Sequence, residues 1–369
     1  MPDDLIHKIA LSLVPGIGSV TAKSLIAYTG SAEQVFAEKE KVLRKIPGVG
    51  SIVAKNILQS NVMSRAGQEV EFLQKNEVKA LFYLDEGYPQ RLLGCADAPI
   101  ILYVKGNPFL NSPKAISIVG TRHATEYGRK IVDQFIGVLA DRGYRILIVS
   151  GLAYGIDIHS HKAALRTGLP TVAVLGHGLE TVYPSLHTPI AREMVEKSGG
   201  LVSDFLSHST IDRTNFLRRN RIIAGMSDAT IVVESAKKGG ALVTADIANS
   251  YNRDVFAFPG RVGDLYSEGC HFLIKSNRAA LIETVSDLEY VMNWSAAKSQ
   301  PDAVQPSLFY DFNPDEKLIV DLLRNEGATA IDLICIKTTL PMNKVSPTLL
   351  NLEFAGMVKG LPGKVFKLL

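Results

Sequence analysis

Cationic and amide side chains are concentrated at residues 218–221, which read Arg-Arg-Asn-Arg. Arginine carries a permanent charge on a planar fork that matches the spacing of phosphate oxygens. Apolar residues follow at once, from Ile222 to Ala224, which predicts that the run lies at the start of a helix. There, backbone N–H groups and the helix dipole would add to an anion site. A solvated charged loop is the alternative for this run taken alone.

Small and polar residues recur where apolar segments end. They follow the predicted strands at 115–119, 145–149, 171–175 and 229–233, as Gly120-Thr121-Arg122, Ser150-Gly151 with Tyr154, Gly176-His177-Gly178 and Lys238-Gly239-Gly240. Glycine at such points allows close backbone approach to a ligand. We expect Arg122, Arg219, Arg221 and Lys238 to converge on one anionic groove. Such a groove suits a phosphate chain better than a single nucleotide.

Other catalytic or cofactor chemistry has weak support. Neither a Gly-x-Gly-x-x-Gly fingerprint nor a Gly-Lys-Ser/Thr phosphate loop is present, so we expect no nicotinamide, ATP or other cofactor. His161 is expected to make a structural hydrogen bond, and His177 to be a turn residue. Asp204, Asp228 and Glu234 lack a spacing that indicates metal binding or acid–base work, and no serine triad is apparent.

Composition indicates an ordinary globular protein. The 369 residues are 46% hydrophobic and 21% charged, with a net charge of +3, so any affinity for nucleic acid must come from a local patch. Cys95, Cys270 and Cys335 are far apart and read as reduced thiols. The N-terminus lacks the basic character of a signal peptide, and no apolar run has the length of a membrane span. We therefore expect a soluble cytoplasmic protein that does not bind membranes.

The central part of the chain alternates between short β-branched runs and helical stretches. Strand candidates at 79–84, 100–104, 115–119, 145–149, 171–175, 201–203, 229–233 and 254–258 are almost continuously apolar. Such strands are typical of a parallel sheet with helices on both faces. The fold predicted for residues 78–292 is α/β, an extended Rossmann-like doubly wound sheet whose site lies at the carboxyl ends of the strands.

The N-terminal segment, residues 1–70, contains a short repeat. Residues 14–23 (Val-Pro-Gly-Ile-Gly-Ser-Val-Thr-Ala-Lys) are echoed at 46–55 (Ile-Pro-Gly-Val-Gly-Ser-Ile-Val-Ala-Lys). Gly-x-Gly turns between helices are typical of a helix-hairpin-helix (SAM-like) domain, in which backbone N–H groups bind a DNA phosphate. A small helical bundle whose tight turns merely need glycine is the alternative.

The C-terminal part separates from the rest by composition. Residues 293–313 are rich in Ala, Ser, Gln and Pro and are predicted to be a linker. Residues 314–369 show three helical stretches and a β-ribbon, which predicts a winged-helix domain. Its third helix has few side chains that read bases, so a protein-binding role and a DNA-binding role both stay open.

Several motifs in the same order resemble the DNA-processing protein A (DprA, also called Smf) family of bacteria. They lie between about Tyr88 and Asp287 and comprise Ser-Ile-Val-Gly-Thr-Arg at 117–122, Ser-Gly-Leu-Ala-Tyr-Gly-Ile-Asp at 150–157, Ala-Val-Leu-Gly-His-Gly-Leu-Glu-Thr-Val-Tyr-Pro at 173–184, Arg-Asn-Arg-Ile-Ile-Ala-Gly at 219–225, Gly-Ala-Leu-Val-Thr-Ala at 240–245 and Val-Phe-Ala-Phe-Pro-Gly at 255–260. The helical N-terminal segment and the winged-helix end also look like this family, with weaker motifs.

The resemblance implies a protein that binds single-stranded DNA with little sequence preference, forms a homodimer and loads the RecA recombinase onto strands covered by single-strand-binding protein. It implies a role in natural transformation and no catalytic turnover, so we expect no enzyme. The dimer surface is expected near residues 245–251 and 256–258. The predicted DNA-contacting residues are Gly120, Thr121, Arg122, Ser150, Gly151, Tyr154, Arg218, Arg219, Asn220, Arg221, Lys238, Gly239 and Gly240.

One departure from the family pattern falls on a predicted contact. Tyr154 stands where relatives often have a basic residue, which leaves open whether that contact is lost or replaced by base stacking.

Two other functions compete with single-strand binding. One is a nucleotide phosphoribohydrolase, whose Pro-Gly-Gly-x-Gly-Thr-x-x-Glu signature is matched only by Gly239-Gly240 and by an acidic Asp246. The other is a duplex-binding regulator, which leaves the α/β groove unexplained.

Overall fold

In the computed structural model the described residues are 2–295 and 312–369. They belong to two compact units, Met1–Ala297 and Lys298–Leu369. Most of the predicted linker at 293–313 lies outside the described residues, because residues 296–311 are not among them.

Six helices begin the first unit. They are α1 (Pro2–Leu13), α2 (Ser19–Thr29), α3 (Ala32–Ala37), α4 (Glu40–Leu43), α5 (Ser51–Gln59) and α6 (Val62–Lys75). The sequence repeat supplies the turns before α2 and α5, where Gly16 and Gly48 have φ of 84° and 82°. This left-handed conformation costs glycine no steric clash. Gly18 and Gly50 then occupy the N-cap positions, so the segment has the predicted helix-hairpin-helix form.

A nine-stranded sheet follows. Its strands are β1 (Val78–Phe82), β2 (Ile101–Gly106), β3 (Lys114–Val119), β4 (Ile146–Ser150), β5 (Thr171–Val174), β6 (Gly200–Ser203), β7 (Ala229–Val232), β8 (Asp254–Ala257) and β9 (Ala280–Leu281). Their order across the sheet is β1-β2-β6-β5-β4-β3-β7-β8-β9. Neighbours from β6 to β9 are parallel, whereas β2 is antiparallel to both β1 and β6. The predicted doubly wound α/β fold is confirmed.

Helices cover both faces of this sheet. They are α7 (Gln90–Leu93), α8 (Glu126–Asp141), α9 (Ile156–Thr167), α10 (Thr188–Glu196), α11 (Arg213–Gly225), α12 (Gly240–Ser250), α13 (Glu268–Lys275) and α14 (Val285–Met292). Alternate residues of β3 enter two different cores. Ile116 packs in the core that contains α8 and α9, and Ala115 in the core that contains α11 and α12. This two-sided burial explains why the strands are continuously apolar.

The predicted dimer surface at 245–251 and 256–258 is wrong. Ala245, Ala248 and Phe256 are each 0% exposed. Their side chains pack in the cores on either side of the sheet, as the buried faces of α12 and β8. These residues therefore hold the subunit together and are not available to a second copy.

The second unit has the predicted winged-helix form. Its elements are α15 (Pro314–Glu326), β10 (Thr329–Ala330), α16 (Ile331–Thr338), α17 (Met342–Phe354), β11 (Val358–Leu361) and β12 (Val365–Leu368), with β12 central in the small sheet. Asn313 and Glu316 form a capping box that fixes the start of α15. Leu323, Ile334 and Leu349, one from each helix, meet in a core of their own.

Candidate nucleic-acid interface

The strand order reverses at the centre of the sheet, where β3 lies between β4 and β7. In doubly wound sheets, ligands bind beyond the carboxyl ends of the strands at such a point. The segments that leave these three strands are residues 120–125, 151–155 and 233–239. They define the region in which a ligand site is expected.

The crevice between β3 and β7 is filled by the protein itself. Glu234 is 4% exposed, and its carboxylate accepts hydrogen bonds from the backbone N–H (3.0 Å) and the hydroxyl (2.5 Å) of Thr125, the N-cap of α8. Gly128 provides the space, because a Cβ there would lie 2.2 Å from a carboxylate oxygen. The N-terminus of α8, which would bind a nucleotide phosphate in a dinucleotide-binding domain, therefore already holds an anion.

An open cavity of about 510 Å³ lies on the other side of β3, at the ends of β3 and β4. Two predicted contact residues, Arg122 and Tyr154, meet there. The cavity is lined by Arg122, His123, Ala124, Arg129, Tyr154, Gly155, Ile158 and His159. This combination of cationic and aromatic side chains around an open space suits a nucleic-acid strand.

Gly155 brings the two loops together. Its φ is 79°, and an added Cβ would lie 2.1 Å from the carbonyl oxygen of Thr121. Tyr154, the residue before it, is 46% exposed. The Tyr154 ring packs edge-to-face against His187, with 4.9 Å between the ring centroids. The tyrosine is thus held at one edge and remains accessible to an unpaired base.

Arg122 is the cation of this cavity that has no internal hydrogen-bond partner among the described residues. Arg129 donates to the carbonyl oxygen of Ala124 (2.9 Å), and His159 pairs with Asp133 (3.0 Å). Arg122 is exposed and makes no hydrogen bond or ion pair with any residue that the structure describes. Its guanidinium can therefore bind a phosphate oxygen without breaking an internal contact.

Arg219 lies beneath the cavity and not in it. It is 4% exposed, and its Nη1 donates to the carbonyl oxygens of Gly151 (2.7 Å) and Val174. Burial lowers the pKa of Arg219 to about 10, which the nearby Asp157 opposes. A Cβ on Gly151 would lie 2.4 Å from the guanidinium, so glycine is required for packing. Arg219 joins the ends of β4 and β5, and its predicted place in a groove of four cations is wrong.

The other residues of the basic run also differ from one another. Helix α11 begins before the run, so these residues are not at a helix N-terminus as predicted. Arg221 pairs with Asp204 at 2.5 Å, and Asn220 is buried. Arg218 is exposed, and its guanidinium lies 5.5 Å from the centroid of the Phe205 ring. Arg218 is thus the member of the run that faces solvent.

Three further predicted contacts support the loops from inside. The Thr121 backbone N–H donates to the carbonyl oxygen of Glu234 (2.7 Å), and the buried Ser150 hydroxyl donates to that of Ile118 (2.6 Å). A Cβ on Gly120 would lie 2.5 Å from the side chain that begins α9. Gly120 and Ser150 thus shape the site without presenting a polar side chain to it, whereas the Thr121 hydroxyl accepts a hydrogen bond from the His123 backbone N–H at 3.1 Å.

Lys238, Gly239 and Gly240 form a separate exposed turn after β7. Gly239 is the N-cap of α12, without a side-chain cap. A Cβ on Gly240 would meet no atom within 4 Å, whereas one on Gly239 would lie 2.2 Å from the Ser235 hydroxyl. None of the three lines the cavity that contains Arg122. Among the described residues, Lys238 and Arg122 therefore do not line the same cavity, contrary to the prediction that they converge.

The buried histidines have structural environments, as the sequence predicted. His161 Nδ1 lies 2.7 Å from the Thr171 hydroxyl, and His177 Nδ1 lies 2.8 Å from the carbonyl oxygen of Gly178. Burial lowers the pKa of His161 to about 3, with Arg219 adding to the effect, so the ring is neutral at physiological pH. Burial also raises the pKa of Asp157, which the charge of Arg219 counteracts.

Sequence reasoning missed two aromatic residues at the end of β5. Tyr183 is 50% exposed, and its ring centroid lies 5.7 Å from that of Phe216. Phe216 packs over the end of β5, since a Cβ on Gly176 would lie 3.0 Å from its ring. An aromatic residue in a loop next to a basic run is the signal that could have identified both.

The structure offers little to the competing enzyme. Asp246, the acidic residue of the phosphoribohydrolase-like pattern, is exposed and pairs with Arg278 at 3.2 Å. Within residues 2–295 and 312–369, no three His, Cys, Asp or Glu side chains are arranged to hold a metal ion. Over the same residues, no helix combines the length and apolar character needed to cross a bilayer.

Comparison with known families covers nearly the whole chain. A family model described as DNA recombination-mediator protein A matches residues 79–293. The SAM-like helix-hairpin-helix tandem matches residues 9–60, and the DprA winged helix domain matches residues 297–364.

Individual relatives agree. The chain is 37% identical to Protein Smf of Escherichia coli over 292 residues, which are 77% of this chain and 75% of that protein. It is 38% identical to DNA processing protein DprA of Streptococcus pneumoniae over 206 residues, which are 56% of this chain and 71% of that protein.

Two solved structures are similar in fold. DNA processing protein A from Streptococcus pneumoniae matches with a TM-score of 0.64 and 31% identity, over 77% of this chain and 96% of that one. DNA processing protein A from Helicobacter pylori, whose structure concerns its single-stranded DNA binding mode, matches with a TM-score of 0.52 and 26% identity, over 59% of this chain and 96% of that one. With the central family model matched over residues 79–293, the chain belongs to the DNA recombination-mediator protein A (DprA/Smf) family.

Proposed function

We propose that this protein binds single-stranded DNA along the carboxyl edge of its sheet and acts there as a recombination mediator. The observation that carries the proposal is the open cavity in which Arg122, free of internal partners, meets the exposed ring of Tyr154. Phosphate-binding cations beside stacking aromatics are the usual equipment of proteins that hold single strands without reading sequence. The related protein from Helicobacter pylori is described as binding single-stranded DNA.

Four side chains at the sheet edge, of which Phe216 is half-buried, follow the order of the strands. Arg122 comes after β3, Tyr154 after β4, Phe216 lies over the end of β5, and Arg218 lies over Phe205 after β6. Adjacent strands are about 4.8 Å apart, so this row spans roughly 14 Å from β3 to β6. Cations at both ends and aromatics between them can hold a few consecutive nucleotides.

The same geometry favours a strand over a single nucleotide. Glu234 occupies the N-terminus of α8, so a nucleotide phosphate placed there would meet a carboxylate instead of free N–H groups. Stacking on Tyr154 also requires an unpaired base, which a duplex does not offer. Phosphates are left to bind along the rim, where Arg122 and Arg218 are exposed.

Further parts of the function rest on the family resemblance. We propose that the protein loads the RecA recombinase onto strands covered by single-strand-binding protein, without catalytic turnover, in the cytoplasm.

We also propose that the protein forms a homodimer. We place its interface at exposed apolar residues of the loop before α13, namely Val262 (95% exposed) and Leu265 (60% exposed). This surface takes the place of the one first expected at 245–251 and 256–258. The proposed domains are residues 1–70, 78–292 and 314–369, with 293–313 as the linker.

A salt series on single-stranded and duplex oligonucleotides tests the binding proposal. Two phosphate contacts should give a log–log slope of about −1.4 for a single strand. A fragment that ends at Asn293 should keep most of the affinity, because the exposed row lies before that residue. Equal affinity for duplex, or loss of binding with the winged-helix domain, would contradict the proposal.

A further inference from the structure

A buried carboxylate joins the N-terminal helices to the loop that follows β6. Glu69 of α6 is 1% exposed, and its carboxylate accepts hydrogen bonds from the backbone N–H (2.9 Å) and the hydroxyl (2.5 Å) of Ser207. Arg65, one helical turn earlier, pairs with Glu69 at 2.9 Å and donates to the carbonyl oxygen of Ser207 at 2.6 Å. Every polar group of Ser207 is therefore bonded to α6. We call this contact of Arg65 and Glu69 with Ser207 the loop clamp.

The loop clamp continues along one face of α6. Arg65, Glu69 and Phe72 are spaced at i, i+4 and i+7, which places them on the same side of the helix. The Phe72 ring packs edge-to-face against His208, with 6.2 Å between the ring centroids. Leu206 packs against the core that contains the N-terminal helices. Apolar packing alone would avoid the cost of burying a carboxylate, whereas directional hydrogen bonds also fix where the loop lies.

The same loop carries side chains that lie against α11. Asp204 pairs with Arg221 at 2.5 Å, and the guanidinium of Arg218 lies 5.5 Å from the centroid of the Phe205 ring. A ring beside its guanidinium restricts an otherwise flexible arginine, which lowers the entropy lost when the arginine binds a phosphate. Phe205 and Ser207 are two residues apart, so a shift of Ser207 changes the position of that ring.

We propose that Arg65 and Glu69 are positioning residues for strand binding, which act through the loop at 204–208 on Arg218. This inference rests on the proposed function, in which Arg218 binds a phosphate of the strand. It gives the N-terminal helices a part in strand binding that requires no DNA contact of their own.

Two substitutions in the N-terminal helices form a matched pair. Glu69→Gln removes the carboxylate that pairs with Arg65 and keeps the volume of the side chain. Asp4→Asn makes the same change in an i, i+4 pair of α1, where Asp4 and Lys8 are 2.6 Å apart. Both variants raise the net charge by one, which by itself strengthens attraction to DNA. Weaker binding by Glu69→Gln alone therefore cannot come from net charge.

A salt series with an oligothymidine strand measures the positioning effect. We expect Glu69→Gln to weaken binding by about 2- to 4-fold and to make the log–log slope shallower by up to about 0.7, because the phosphate contact of Arg218 is partly lost. Asp4→Asn should bind at least as tightly as the unmodified chain. A merely destabilising change would lower the folded fraction and leave the slope unchanged. Unchanged affinity, or weaker affinity with an unchanged slope, would overturn the proposal.

A double-mutant cycle shows whether the effect passes through Arg218. In an Arg218→Ala background, Glu69→Gln should cause no further loss of affinity, whereas in a Tyr154→Ala background it should cause its full loss. An equal loss in both backgrounds would contradict the proposed route. Ser207→Ala removes only the hydroxyl bond of the loop clamp, and it replaces Glu69→Gln in the cycle if the latter does not fold.

Amide hydrogen exchange without DNA separates failure of the loop clamp from failure of the proposed function. Peptides that cover residues 204–209 should exchange faster in Glu69→Gln than in the unmodified chain or in Asp4→Asn, because the Ser207 N–H has a weaker acceptor. Should the unmodified chain bind no strand, the proposed function fails, while faster exchange still supports the loop clamp. Equal exchange in all three proteins would overturn the loop clamp, whether or not a strand binds.

Discussion

Two layers of the same sheet edge use similar side chains for opposite purposes. The buried floor consists of Arg219, Asp157 and His161, which are enclosed beneath the loops. The exposed rim consists of Arg122, Tyr154 and Arg218. Arg219 is bonded to two carbonyl oxygens, whereas Arg122 has no partner among the described residues. Burial thus separates the arginines at this edge into Arg219, which holds the fold, and Arg122 and Arg218, which face solvent.

This difference predicts two kinds of variant. Changes in the floor should lower stability without a specific effect on the salt dependence of binding. Changes in the rim should lower affinity and leave stability nearly unaltered, because exposed side chains without internal contacts contribute little to folding.

The largest effect is expected for Arg219→Ala. It leaves Asp157 buried beside no cation and two carbonyl oxygens without their donor, so the free energy of unfolding should fall by about 3–5 kcal/mol. Urea denaturation followed by circular dichroism measures this loss. Arg122→Ala is the matched control and should unfold like the unmodified protein. A floor variant with unchanged stability and reduced DNA affinity would reverse the assignment of the two layers.

The next largest effect is expected from acid, which should destabilise the buried floor. His161 has a folded pKa of about 3 against an ordinary value of 6.5. Below the ordinary value the unfolded chain takes up a proton that the folded chain does not, so stability present at neutral pH is lost as the pH falls. Between pH 7 and pH 5 the loss should be about 2 kcal/mol. His161→Asn cannot titrate, and its urea midpoint should vary less over this range. An identical pH dependence in both proteins would show that His161 is not the group responsible.

Among variants of the rim, Tyr154→Ala should reduce DNA affinity more than Arg122→Ala. Loss of one stacking contact should weaken binding of an oligothymidine strand by about 10-fold. The salt slope should stay the same, since stacking releases no counterion. Tyr154→Phe keeps the ring and should bind like the unmodified protein. A weaker Tyr154→Phe variant would show that the hydroxyl, and not the ring, makes the contact.

The smallest effect is expected for Arg122→Ala. Affinity should fall by about 3- to 5-fold for every sequence alike, and the salt slope should become shallower by about 0.7. Fluorescence anisotropy at several salt concentrations measures both quantities. Lys238→Ala is the matched comparison, because Lys238 does not line the cavity, and its slope should change less. Equal changes in the two variants would place both cations on the same strand path.

Most of the fold could be predicted because its signals are local. The strand predicted at 115–119 follows from a run of apolar residues, and the structure has it as Lys114–Val119, at nearly the predicted bounds. Arg122 and Tyr154 could be placed at the sheet edge for the same reason. Each follows a strand directly, and parallel strands end at a common edge.

The burial of Arg219 could not be predicted in this way. Its acceptors at Gly151 and Val174 belong to β4 and β5, and their position depends on the order of the strands across the sheet. The early start of α11 did have a local signal. Asp212 accepts a hydrogen bond from the backbone N–H of Thr214 at 2.7 Å, as an aspartate N-cap does.

The carboxylate of Glu234 at the start of α8 bears on whether nucleotides in a cell compete with DNA for this protein. Nucleoside triphosphates are present wherever DNA is copied, and an open helix N-terminus at the centre of the sheet would be a docking point for them. A carboxylate supplied by the chain itself stays in place at every nucleotide concentration. Strand binding at the rim should therefore be insensitive to the energy state of the cell.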